Sequence, residues 1–240
     1  MRLDKLLSEC GLSTRSETSR AARAGKIKVN GIPALRPDQK VDPERDEILY
    51  CGERVLYQKF LYLMLNKPDG YVSATEDGNA PTVTELFPEE YRRQGIFPCG
   101  RLDKHTLGLM LLTNDGVLSH RLLAPKSHVA KTYAFSVKFP LSDADIFALE
   151  GGVDIGGYVT KPCKVSLLNP KEGQITIIEG KYHQIKLMMQ AVHNQITSLE
   201  RVSFGPLKLD SALARGAWRP LSQEEIEALR REAHTVEKNP

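Results

Sequence analysis

The 240-residue chain has no long apolar run, one tryptophan and only four cysteines. Its apolar stretches, Phe60 to Leu65 and Leu107 to Leu112, are strand-length and fall far short of the roughly 20 residues of a membrane-spanning helix. No membrane partner is expected. The beginning, Met1-Arg2-Leu3-Asp4-Lys5, lacks the apolar core and small-residue cleavage site of a secretory signal, so the chain reads as cytoplasmic. Cys10, Cys51, Cys99 and Cys163 form no Cys-x-x-Cys pair. That argues against zinc and for dispersed buried thiols. His105, His120, His128 and His183 are not spaced as a compact ligand set, and no metal is expected. A Walker loop, a dinucleotide fingerprint and an internal repeat are all missing; Gly151-Gly152 and Gly156-Gly157 predict turns.

Positive charge is present, and it is uneven. Of a net +3, residues 1 to 40 carry +5, from nine Lys and Arg against four Asp and Glu, which leaves −2 for the rest. A local basic surface on a nearly neutral protein suits binding to a phosphate backbone, since released counterions drive association. A solvated helix face would give the same charge.

Leu3, Leu6 and Leu7 have helical spacing, and Gly11 can close that helix in a left-handed conformation. Thr14-x-x-Glu17 predicts a capping box for a second helix that ends at Gly25. Arg15, Arg20 and Arg23, with Lys26 and Lys28 just beyond, can face one phosphate track, and Arg2 and Lys5 add to the same basic region. Ile27-Lys28-Val29 alternates like a strand and Asn30-Gly31 predicts a tight hairpin turn. This order resembles the S4 RNA-binding domain over approximately residues 1 to 58, with 52 to 60 as the linker and Asp42, Glu44, Asp46 and Glu47 marking an edge away from RNA.

From Phe60 onward strand-like and helical segments alternate. Strands are predicted near 60–65, 109–113, 132–139, 174–178 and 196–202, and helices near 116–123, 143–150 and 183–193. Ser222-x-x-Glu225 predicts a capped final helix, with a disordered tail from about 234. The fold class is α+β: a small S4-like α/β domain (1–58) followed by a larger domain (59–240) with a mixed or antiparallel sheet.

The run Gly100-Arg101-Leu102-Asp103-Lys104-His105-Thr106-Leu107-Gly108-Leu109 carries the chemistry. It brackets one carboxylate with cations, a threonine and two glycines. A carboxylate that stays ionised in a partly dry pocket needs positive charge or donors beside it. Ile185, Met188, Met189 and Val192 form an apolar helical stripe, and Lys186 lies at its border, where its ammonium can reach a cleft or simply meet solvent.

Together with Leu112-Thr113-Asn114-Asp115-Gly116, the Asp103 run resembles the catalytic motif of RNA pseudouridine synthases. Lys131-Thr132-Tyr133 and Glu179-Gly180-Lys181-Tyr182-His183-Gln184-Ile185-Lys186 resemble that family's other active-site segments, and Met64-Leu65-Asn66-Lys67-Pro68 and Ser119-His120 resemble its small-subunit ribosomal RNA branch, RsuA. Leu187 departs from the pattern, since several relatives carry a basic residue there. The resemblance implies isomerisation of uridine to pseudouridine, with Asp103 as catalytic carboxylate, Lys186 as its ionic partner, Tyr133 beside the target base, Arg101 on the RNA, and Leu102 and Ile185 shaping the pocket. It implies no cofactor, because the reaction gains and loses no atom. The expected partner is small-subunit (16S) ribosomal RNA or a partly assembled small subunit, met by a monomer. Large-subunit (23S) RNA and a catalytically silent S4-containing assembly factor are the alternatives.

Overall fold

The computed structural model describes residues 1–235, so most of the tail predicted from 234 lies outside the described residues. The chain divides into two compact units, residues 1–61 with 84–97, and residues 62–83 with 98 onward. None of the described helices is long and apolar enough to cross a membrane.

In the first unit, helix Leu3–Glu9 ends at Gly11 (φ +69°). A Cβ there would lie 2.1 Å from the Glu90 carbonyl oxygen, so only glycine fits that approach. Helix Arg15–Arg23 starts with the predicted capping box: Glu17 N–H donates to Thr14 Oγ1 and Thr14 N–H donates to Glu17 Oε2. Leu3, Leu6, Leu7, Ala21, Ala22 and Ile27 bury the apolar faces in one core. Strand Ile27–Val29 pairs with Ile32–Pro33 across Asn30 (φ +50°) and Gly31 (φ +80°).

Residues 52 to 60 do not form the predicted linker throughout. Strand Glu53–Arg54 returns along Ile48–Tyr50, and Val55 and Tyr57 pack on the core, with Tyr57 Oη donating to Glu9. The turn is Cys51-Gly52, both at positive φ. Cysteine is an unusual turn residue, which hid the hairpin. Cys51 is consequently exposed, contrary to the expectation of a buried thiol; Cys10 and Cys99 are buried and Cys163 is half-buried.

The second unit is built on a mixed sheet. Its strands run in the order Trp218–Pro220, Tyr62–Lys67, Leu107–Thr113, Ile196–Phe204, Lys131–Val137, Glu172–Ile177, Lys164–Asn169. Leu107–Thr113 and Ile196–Phe204 are parallel; the other neighbours are antiparallel. Tyr62–Lys67 is buried at every position, which explains its continuous apolar reading. Gly108 (φ +95°) lies where the parallel strands meet, and a Cβ on it would be 2.3 Å from the Arg201 carbonyl oxygen. Helix Gly116–Leu123 is capped by Asp115, which accepts from Leu118 N–H and from Tyr62 Oη. Helix Gln184–Ala191 is shorter than the predicted 183–193, because His183 (φ +51°) and His193 (φ +56°) are left-handed. Lys164–Asn169 and Trp218–Pro220 are strands that alternation did not reveal, both at sheet edges.

Candidate active site

Asp103 stands in the loop that enters strand Leu107–Thr113. The loop is pinned at several points. Leu102 N–H donates to Ser73 Oγ, and that hydroxyl donates back to the Leu102 carbonyl at 2.7 Å. Thr106 N–H donates to the Asp103 carbonyl, and Gly70 N–H to the Lys104 carbonyl. Beneath the loop the fully buried Lys67 Nζ donates to the carbonyls of Pro68 (3.1 Å), Lys104 (3.0 Å) and Thr106 (2.9 Å). Burial pushes the Lys67 ammonium down to about 8, with nearby Asp69 and Asp103 acting against the shift. Such a cation persists in a dry site only because carbonyl oxygens surround it.

Helix Gln184–Ala191 brings Lys186 to the carboxylate from the other side. Lys186 Nζ donates to Asp103 Oδ2 at 2.6 Å, and His183 Nε2 lies 3.6 Å from Asp103 Oδ1. Both partners of the Asp103–Lys186 pair are part exposed, 26% and 29%. The helix start is braced: Glu179 Oε1 accepts from Gln184 Nε2 (2.7 Å) and from Lys161 N–H (3.0 Å), while Gln184 Oε1 accepts from Lys181 N–H.

Arg101, Leu102, Asp103, Tyr133, Ile185 and Lys186, the six residues picked out of the sequence, line one pocket. Tyr133 is buried on strand Lys131–Val137, Arg101 is exposed at the rim, and Leu102 and Ile185 are buried walls. Thr106, His183 and Gln184, which the motifs contain without a role assigned to them, share the lining with Leu199, which carried no signal. The Thr106 hydroxyl is buried without a hydrogen-bond partner, the one such side-chain atom among the described residues. Lys67 and Ser73 were missed as well; only their place in the three-dimensional loop reveals what they do. Lys104, despite its proximity in sequence, is exposed and contributes its carbonyl rather than its charge. Among the described residues no group of three or more His, Cys, Asp or Glu could hold a metal ion.

Comparison with known proteins decides the family. The model of the RNA pseudouridylate synthase family matches residues 61–191, and that of the S4 domain matches residues 1–48. The chain belongs to the RNA pseudouridylate synthase family. It is 48% identical to YtzG of Bacillus subtilis (strain 168), an uncharacterized RNA pseudouridine synthase, over 95% of this chain and 98% of the relative. It is 39% identical to ribosomal small subunit pseudouridine synthase A of Haemophilus influenzae, over 95% and 99% of the two chains, and 38% identical to the Escherichia coli (strain K12) protein of that name, over 94% and 98%. A solved pseudouridylate synthase crystal structure shares 37% identity with a TM-score of 0.67, covering 95% of this chain and 99% of that one. The resemblance read from the motifs is thereby established, and with it the S4 head and the mixed-sheet pseudouridine synthase domain of an RNA-modifying enzyme.

In the basic head, Arg15, Arg20, Arg23, Lys26 and Lys28 are all exposed and form no ion pair among the described residues. The three arginines fall within about 140° of the helix circumference. Arg2 is held bidentately by Asp4, and Lys5 lies 3.7 Å from Glu9. These two cations are already partly neutralised, so among these seven cations the open charge belongs to the helix that follows and to Lys26 and Lys28 just beyond it.

Proposed function

We propose that this chain isomerises uridine to pseudouridine in small-subunit ribosomal RNA, with Asp103 as catalytic carboxylate and Lys186 as its ionic partner. The observation that carries the reading is the 2.6 Å Lys186–Asp103 contact in a pocket walled by Tyr133, Leu102 and Ile185. The small-subunit target follows the relatives that this chain matches over nearly its whole length, the ribosomal small subunit pseudouridine synthases A.

The reaction breaks the N1–C1′ bond, turns the uracil and forms C5–C1′; the C5 proton leaves and N1 gains one. In this reading Asp103 attacks C1′ or C6, or takes a sugar proton. All three roles require a carboxylate fixed in place, and the charge-assisted hydrogen bond from Lys186 fixes it. Tyr133 offers a ring face for the uracil, and Arg101 at the rim meets the RNA backbone. A stacked uridine must leave the helix to enter, at a cost of a few kcal/mol. Phosphate contacts to the basic head, residues 1–58 in this reading, offset that cost while residues 59–240 perform the chemistry. One chain carries every group named, so a monomer suffices, acting where small subunits are assembled in the cytoplasm.

The test is to incubate the protein with unmodified 16S and 23S RNA, free and partly assembled, and to map pseudouridine at single-nucleotide resolution. Product in 16S RNA is expected from the natural chain and none from Asp103→Asn, whose RNA affinity should persist. Product confined to 23S RNA would overturn the target; turnover by Asp103→Asn would overturn the role of Asp103; no product on any competent RNA would leave a silent binding factor.

A further inference from the structure

Tyr182 is 74% exposed, a large aromatic ring that contributes almost nothing to the core. It stacks on His183 with ring centroids 3.8 Å apart and planes 18° from parallel. His183 in turn places Nε2 3.6 Å from Asp103 Oδ1. The two rings form successive layers leading outward from the carboxylate, and the outer ring ends at solvent. The segment holding them is braced: Lys181 Nζ sits 4.3 Å over the Tyr158 ring, Tyr158 Oη donates to Glu179 Oε2, and Glu179 Oε1 holds Gln184. His183 adopts a left-handed backbone (φ +51°), a conformation that costs free energy and persists only where its surroundings impose it. A braced pair of near-parallel rings, the outer one exposed and the inner one half-buried beside the Asp103 pocket, is suited to one kind of ligand, a flat aromatic base.

We propose that the Tyr182–His183 pair is a stacking platform for a nucleobase adjacent to the target uridine. This inference rests on the uridine-isomerising reading above. When the target leaves its stack, its neighbours lose a partner on one face, and an aromatic side chain can replace that partner without demanding a particular base. Tyr133 is buried and cannot serve the same base, because it lies inside the pocket that receives the uracil. The platform acts on binding and register rather than on the reacting atoms.

The experiment uses the full chain and short RNAs spanning the mapped uridine, each with 2-aminopurine on one side of the target. Tyr182→Ala should raise KM about 10-fold, within the range that stacking losses produce, while leaving kcat within about 2-fold. Tyr182→Phe should behave like the natural chain. The natural chain and Tyr182→Phe should quench 2-aminopurine at one flanking position, and Tyr182→Ala should not. Unchanged KM and quenching in Tyr182→Ala would overturn the platform, as would Tyr182→Phe failing like Tyr182→Ala. A thermal midpoint lowered in step with the KM effect would reassign Tyr182 to holding the loop and would overturn it too. Natural chain that modifies no ribosomal RNA refutes the underlying function; KM and 2-aminopurine quenching unchanged by Tyr182→Ala, on an RNA that the natural chain does modify, refute the platform alone.

Discussion

Replacing Lys67 by Met should change the pH dependence of stability in a direction that follows from burial. Lys67 is fully buried, and its ammonium titrates at about 8 instead of 10.5. Between those values the unfolded chain holds a proton that the folded chain has released, so the lysine's contribution to stability becomes more favourable as pH rises. At about pH 7 the lowered value corresponds to a penalty of about 3 kcal/mol for keeping the charge inside. By about pH 9.5 the penalty has fallen by about 2 kcal/mol. Cys10 and Cys163, whose thiols burial raises to about 11, act oppositely above pH 9, since the unfolded chain ionises first. Natural chain alone therefore shows a mixture. The difference between natural chain and Lys67→Met isolates the lysine, because the thiols are common to both. Urea denaturation followed by the fluorescence of Trp218, the single tryptophan, at several pH values gives that difference. It should move by about 2 kcal/mol in favour of the natural chain from about pH 7 to about pH 9.5. A flat difference would mean that Lys67 is not a desolvated cation, and the account of how the Asp103 loop is held would fail with it.

Gly108→Ala should lower stability by about 3 kcal/mol or more, because a Cβ would meet the Arg201 carbonyl oxygen at 2.3 Å on a backbone at φ +95°. A thermal melt within about a degree of the natural chain would contradict that. Converting Arg15, Arg20 and Arg23 to Gln should flatten the dependence of RNA affinity on salt, reducing the log–log slope by about 2 if each arginine meets a phosphate. Filter binding at graded salt reads it; an unchanged slope would remove that helix from the RNA contact, whereas kcat at saturating RNA should be unaffected.

The elements that the sequence disclosed are those whose signal is local. The Thr14–Glu17 box, the Asn30-Gly31 turn and the Ser222–Glu225 cap each depend on side chains within three residues of one another, and each forms as expected. The six pocket residues were found through ordered motifs, whose spacing records where the chain returns to one cavity. Cys51-Gly52 escaped because cysteine seldom occupies a positive-φ turn position, and Lys164–Asn169 because exposed side chains interrupt its alternation. Lys67 escaped for a stronger reason. A lysine beside a proline reads as surface, and nothing short of the fold shows that its three acceptors come from residues 68, 104 and 106.

The positions of the cations explain why Lys186, rather than any other, faces the carboxylate. Lys67, Lys131 and Arg201 are each held by backbone carbonyls, and none makes a salt bridge among the described residues. Burial pushes Lys131 down to about 8, with Arg201 adding repulsion, so a further positive charge in that region would be costly. These interior cations fix backbone: Lys67 holds the Asp103 loop, and Arg201 ties strand Ile196–Phe204 to the Leu109 carbonyl. A carboxylate paired among them would be cut off from RNA and would carry the desolvation cost of a buried ion pair. Lys186 instead meets Asp103 at the mouth, where water still reaches both groups. The pair can therefore order the carboxylate without sealing it away, as the proposed attack on uridine requires, while the buried Lys67 keeps the loop in place.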